Sequence, residues 1–118
     1  MKLKYFTDEE DFKGNMDKMD PKLLGMLDAL RKTYGFPIII NSSYRSPEHP
    51  IEAAKEKPGE HAHGAAVDIK CAGGEATYLL VAAAIKCGFK RIGISRKSNF
   101  VHVGIGYPGA PSTTIWTY

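Results

Sequence analysis

The sequence predicts a single α+β domain, with helices packed on one side of a small antiparallel sheet. Three observations support this prediction. The 118 residues suit one domain, so 1–118 is treated as one unit. Hydrophobic residues make up 43% and charged residues 25%, which is typical of globular proteins and excludes a disordered or coiled-coil chain. Two helical patterns are separated by short β-rich segments, with no repeat or linker between them.

Both long helices have clear start and stop signals. Asp20 suits the N-cap, Pro21 suits the first helical position, leucines follow at helical spacing, and Gly35 supplies the stop. The second helix is predicted over 75–87, is rich in Ala and Leu, and is ended by Gly88. Two short segments precede the first helix: a strand or ordered arm over 3–7, and a polar helix start or turn over 8–11.

The strands are predicted from short runs rich in β-branched and aromatic residues. They cover 36–41, 65–70, 89–95 and 100–105, with a hairpin over 96–99 joining the last two. Between the first two strands, 42–50 is loop-like, and 51–57 is a short helix or a mobile loop. The Pro/Gly-rich tail ends in an apolar segment, Ile115–Tyr118, which is expected to dock on the domain.

Charge and hydropathy narrow the range of partners. The net charge of +3 is mild and the basic residues are scattered, so no nucleic-acid partner is expected. No apolar run approaches the roughly 20 residues of a membrane span, so no membrane partner is expected. The first residues lack the apolar core of a signal peptide. Cys71 and Cys87 have no metal-binding spacing, and the sequence leaves open whether they pair.

Two histidines and an aspartate form a candidate metal site. His61 lies in a predicted loop, Asp68 in a predicted strand and His102 in another strand, so the three converge if the strands are neighbours. Catalytic zinc is often held by three such nitrogen and oxygen ligands, with one position left for water. The alternative is that each histidine is a hydrogen-bonded core group, as histidines within apolar strands commonly are.

Three motifs resemble the zinc D-alanyl-D-alanine carboxypeptidases and L-alanyl-D-glutamate endopeptidases, which share the Hedgehog/DD-peptidase fold. The first is H-x-x-G-x-A-x-D-I over 61–69. The second is S-Y-R-S-P-E-H over 43–49, which resembles the family segment S-x-Y-R-S-x-x-H. The third is G-F-x-R-I-G-I over 88–94 followed by F-V-H-V over 100–103. The motifs stand in family order, and the terminal segments are similar to those of short phage-type members.

The resemblance implies a role for each matching residue. It implies a Zn²⁺ ion held by three side chains: His61, Asp68 and His102. Arg45 would direct its guanidinium group at the substrate carboxylate or the developing oxyanion, while Ser43 and Tyr44 would shape the substrate loop. From the residues alone, a structural ion pair is the alternative for Arg45. We expect Arg45 to project from its loop without stabilising the fold.

The general base is where the sequence departs from the family pattern. Many relatives carry an acid three residues before the last zinc histidine or two residues after it, and these positions hold Asn99 and Gly104. The substitutes that the sequence offers lie near the first ligand or in the arginine loop: Glu60, His63, Glu48 and His49. If the chain is catalytic, an aspartate at position 104 is expected to raise hydrolysis, unless the space there is already filled.

The resemblance implies a zinc-dependent peptidase that cuts peptide bonds in the stem peptides of peptidoglycan, as a carboxypeptidase or an endopeptidase. Such an endolysin-like protein is expected to act as a monomer and to stay cytoplasmic until it is released, or to be delivered to the cell wall by a phage. The alternative is a non-catalytic, zinc-containing module that binds peptide carboxylates, because Asn99 and Gly104 cannot accept a proton. A purely structural zinc is less consistent with three ligands, since structural sites usually have four.

Overall fold

The computed structural model describes residues 2–55 and 57–118, which form helices and one five-stranded sheet. The α-helices are α1 (Asp8–Asp11), α2 (Pro21–Tyr34), α3 (Pro50–Ala53) and α4 (Gly74–Lys86). Two short 3-10 turns cover Met16–Lys18 and Glu60–His63. The strands are β1 (Ile40–Ser42), β2 (Ala66–Lys70), β3 (Arg91–Ser95), β4 (Phe100–Gly104) and β5 (Thr114–Thr117). In the described part of the chain, no helix combines the length and hydropathy needed to cross a membrane.

The capping signals of α2 act as predicted. The Asp20 carboxylate accepts a hydrogen bond from Lys22 N at 2.8 Å, and Gly35 ends the helix in the left-handed conformation, with φ of 82°. The segment before α1 is an ordered arm rather than a strand. Phe6 is buried, and the backbone N–H of Lys4 donates to Asp28 on α2 at 2.7 Å.

The sheet has the order β1-β2-β4-β3-β5. The first three pairings are antiparallel, but β5 lies parallel to β3, so the sheet is mixed and not purely antiparallel as predicted. The apolar tail segment therefore docks as a strand, which its composition alone did not indicate. Strand β1 is shorter than the predicted 36–41 and lies at the sheet edge, and Ile39 beside it is 56% exposed.

The two faces of the sheet have different surroundings. One face carries the apolar side chains of β2, β3 and β4, which pack with α2 and α4 in a single core: Val67, Ile69, Ile92, Val101 and Val103. Both long helices thus lie on one side of the sheet, as predicted. On the other face, a row of paired residues runs across four strands: Asp68, His102, Gly93 and Trp116. Directly paired residues point to the same side of a sheet, so this row brings polar and aromatic groups together.

Candidate metal centre

Three buried side chains converge at one end of this row. Asp68 on β2 pairs directly with His102 on β4, and His61 reaches them from the 3-10 turn that precedes β2. One nitrogen or oxygen atom from each residue lies within 4.8 Å of the other two. The two histidines are 41 residues apart in the sequence, and the pairing of β2 with β4 brings them together. The structure therefore brings together the three residues that were predicted to hold zinc.

The orientation of His61 is fixed by the backbone. Its Nδ1 lies 2.7 Å from the carbonyl oxygen of Ser43. A carbonyl only accepts, so Nδ1 carries a proton and donates, which leaves Nε2 as the ring nitrogen that faces the centre. Nε2 faces Asp68 Oδ2 at 3.3 Å. Gly64 makes this turn possible, because its φ is 64° and a Cβ atom there would collide with the carbonyl oxygen of Lys18.

His102 lies between two carboxylates. Its Nδ1 is 3.1 Å from Asp68 Oδ1, and its Nε2 is 2.6 Å from Glu60 Oε1. Burial opposes charge on the ring, but the hydrogen bonds to Asp68 and Glu60 raise the pKa of His102 above its ordinary value. Burial likewise opposes charge on Asp68, yet the hydrogen bonds from His102 and His61 hold the pKa of its carboxyl well below the usual range. Asp68 is thus an anion that draws both imidazoles toward one point.

The donor set of this centre fits a zinc ion. Two imidazole nitrogens and one carboxylate oxygen are ligands that zinc accepts, and three protein ligands leave a position for water or substrate. His61 is already fixed by a backbone carbonyl, and His102 by Glu60, which is the kind of support that metal-binding histidines usually have.

Arg45 does not project freely from its loop as expected, and its contacts favour the alternative of a structural ion pair. Its Nη2 lies 3.3 Å from Asp68 Oδ2 and its Nη1 lies 3.3 Å from Glu52 Oε2, and only 17% of the side chain is exposed. Glu52 is buried and also accepts hydrogen bonds from Lys55 Nζ at 2.9 Å and Gly59 N at 2.8 Å. Arg45 therefore joins the metal centre to a buried ion-pair network. No sequence signal points to Glu52, which lies in the segment predicted as a short helix or a mobile loop.

Glu60 lies at the centre, but not as a free carboxylate. Its Oε1 accepts from His102, and its Oε2 accepts from Arg91 Nε at 3.0 Å and from Gly106 N at 2.7 Å. Burial opposes its ionisation, but the hydrogen bond from His102 and the positive charges nearby lower the pKa of the carboxyl. Both oxygens already accept hydrogen bonds, and a carboxylate with a lowered pKa is a weak base. The geometry therefore does not support Glu60 as the general base.

The remaining candidates lie outside the metal cluster. His63 is exposed, and its ring stacks on that of Tyr107 with centroids 4.6 Å apart. His49 is exposed and caps α3 by accepting from Ile51 N, and Glu48 is also exposed. These positions argue against each as a base at the metal.

The substrate-loop residues and the two altered positions can also be placed. Ser43 is buried, and its carbonyl oxygen accepts a hydrogen bond from His61. Tyr44 is half-buried, and the Nζ atom of Lys18 lies 5.4 Å from the centre of its ring. Asn99 is an exposed residue of the β3–β4 hairpin, where its φ of 54° lies in the left-handed region. Gly104 points to the centre, but its space is filled by Glu60.

An aromatic wall formed by Trp116 and Tyr118 flanks the centre. The sequence predicted that this segment docks, but not that it lies beside the metal ligands. The Trp116 ring covers Gly93, where a Cβ atom would lie 2.6 Å from its Cε2, and its centroid is 5.1 Å from that of His102. Tyr118 packs on Phe100, with centroids 5.0 Å apart. Burial raises the pKa of its phenol, as do the carboxylates of the centre. The alternation of Thr114, Trp116 and Tyr118 was the available signal.

Comparison with known proteins now decides the family. The family model described as peptidase M15 matches residues 4–104, which is most of the chain. The chain belongs to the peptidase M15 family. This confirms the resemblance to zinc D-alanyl-D-alanine carboxypeptidase-like enzymes, a zinc-dependent family of metallopeptidases. No curated protein sequence matches the chain significantly. The M15 match includes all three candidate ligands and ends before the aromatic wall.

Proposed function

We propose that this M15 domain is a zinc peptidase that hydrolyses peptide bonds in the stem peptides of peptidoglycan. The observation that carries the proposal is the convergence of His61, Asp68 and His102 beside an aromatic wall, on the face of the sheet opposite α2 and α4. Zinc held there would supply Lewis acidity and an activated water molecule. The chain would supply the orientation of the ligands and the contacts that hold the peptide.

Arg45 supplies the positive charge that a peptide with a free carboxylate needs. Its guanidinium group lies against Asp68, and part of it remains exposed. In the proposed complex it binds a substrate carboxylate or the oxyanion that forms on the scissile carbonyl. The Trp116 and Tyr118 rings flank the same space and would pack against the substrate peptide.

The second candidate function is a zinc-containing module that binds peptide carboxylates without cutting them. One observation favours it: the two usual acidic positions hold Asn99 and Gly104, and the Glu60 carboxylate is engaged by His102, Arg91 and Gly106. Both functions need the metal ligands and Arg45, so only the reaction products distinguish them.

Mass spectrometry of purified peptidoglycan after incubation with the zinc-loaded protein tests the proposal. A carboxypeptidase releases a terminal D-amino acid, whereas an endopeptidase creates a new amino terminus inside the stem peptide. His61→Ala is the control that removes a ligand, and Glu75→Ala is the matched surface control. Unchanged peptidoglycan, together with titratable binding of a stem peptide to the parent protein, would favour the binding module instead.

A further inference from the structure

The space above Gly104 is occupied by a carboxylate from elsewhere in the chain. Gly104 lies two residues after His102 on β4, so a side chain there would point to the same face as the imidazole. A Cβ atom at this position would lie under 3.0 Å from all three atoms of the Glu60 carboxyl group. Real Cβ atoms essentially never approach so closely, so position 104 must be a glycine as long as Glu60 stays there.

The Glu60 carboxylate has a definite task in this space. Its Oε1 is 2.6 Å from His102 Nε2, and an ionised carboxylate only accepts, so Nε2 must carry a proton. The other ring nitrogen, Nδ1, then faces Asp68 and is the one available to a metal. A hydrogen bond at the far nitrogen is what fixes the tautomer and orientation of a metal-binding histidine.

Glu60 is itself held in place by two donors. Its Oε2 accepts from Arg91 Nε at 3.0 Å and from Gly106 N at 2.7 Å, and only 5% of the residue is exposed. It also precedes His61 in the same 3-10 turn. One turn therefore supplies a candidate ligand and the partner that orients another ligand.

We propose that Glu60 is a positioning residue for His102 and takes the place of the carboxylate that many relatives carry two residues after this histidine. The inference rests on the proposed metal centre, but not on peptide hydrolysis. It predicts that carboxylates at positions 60 and 104 are alternatives: either one orients His102, and both together do not fit.

Four proteins test this: the parent, Glu60→Ala, Gly104→Asp and the double variant. Zinc affinity is measured by competition with a chelator, and the state of the His102 ring nitrogens by ¹⁵N NMR of the zinc-loaded protein. Glu60→Ala is expected to weaken zinc binding by roughly 10- to 100-fold. Gly104→Asp alone is expected to lower the melting temperature. The double variant is expected to recover most of the zinc affinity and the Nε2-protonated ring, while Glu75→Ala leaves both unchanged.

A role of Glu60 in stability alone would move the melting temperature without changing zinc affinity or the His102 nitrogen signals, and that result would overturn the proposal. If Glu60→Ala fails to fold, the double variant decides: recovered folding and zinc binding support the exchange, and failure of both overturns it. A parent protein with zinc on Nδ1 of His102 but no action on peptidoglycan would refute the peptidase proposal and leave the role of Glu60 intact.

Discussion

Removing Arg45 tests whether the residue that we propose to bind substrate also stabilises the fold. Arg45 pairs with Glu52, whose side chain has 0% exposure, and with Asp68, whose side chain is 11% exposed. In Arg45→Ala, Glu52 keeps its hydrogen bonds from Lys55 and Gly59 but loses one charged partner. Loss of a hydrogen bond to a buried charged group costs about 1.5–3 kcal/mol in the free energy of unfolding.

This cost translates into a measurable melting shift. For a chain of this length, 1 kcal/mol corresponds to about 4 °C, so Arg45→Ala is expected to melt about 6–12 °C below the parent. Circular dichroism melts are recorded on metal-free protein, because bound zinc would add stability by mass action. Arg96→Ala, at an exposed arginine, is the matched control and is expected to leave the melting temperature nearly unchanged.

A second substitution separates the ion pair from other causes. Glu52→Gln removes the negative charge that pairs with Arg45. The double variant is therefore expected to lose less free energy of unfolding than the sum of the two single variants. A melting temperature for Arg45→Ala within about 2 °C of the parent would refute the reasoning, since that is only about half of the shift expected for 1 kcal/mol. It would restore the original expectation that Arg45 serves substrate binding only.

Three further predictions concern the centre and its turn. His61→Ala is expected to lose zinc in metal analysis, and full retention would exclude His61 as a ligand. Gly64→Ala is expected to cost about 1–3 kcal/mol in urea unfolding, because φ is 64° and Lys18 O blocks a side chain; an unchanged midpoint would contradict this. In metal-free protein, the lowered pKa of Asp68 and Glu60 predicts stability lost as pH falls below 4.5, and the raised pKa of His102 predicts stability lost as pH rises above 6.5. Urea midpoints that are flat from pH 3 to 8 would refute that profile.

The sequence predicted the elements whose signals are local. Helix α2 begins after Asp20 and ends at Gly35, as the capping preferences of these residues indicate, and the β3–β4 hairpin lies where it was expected. Strand β5 was missed because a four-residue strand after a Pro/Gly-rich segment has little pattern of its own, and its pairing with Arg91–Ile94 depends on a contact across more than twenty residues.

The residues of the candidate site likewise fall into those predictable from local motifs and those that depend on tertiary packing. The spacing of His61 and Asp68 in one motif, with His102 in another, was enough to predict the cluster that the structure contains. The partners of Arg45 and Glu60 were not predictable, because they depend on which side chains tertiary packing places beside them. Glu60 was considered as a base since it adjoins a ligand, but adjacency in sequence does not show where a carboxylate points.

The altered positions of this chain need not mean a loss of function. In the sequence, Gly104 indicates a missing acid because it stands at the position of β4 where many relatives carry one. In three dimensions, a carboxylate is present at that place, delivered by the turn that carries His61 and held by Arg91 and Gly106. The carboxylate beside His102 is thus retained as Glu60, and Asn99 is the altered position that supplies no proton acceptor. The lack of an acid at position 104 is therefore no argument against the proposed peptidase activity.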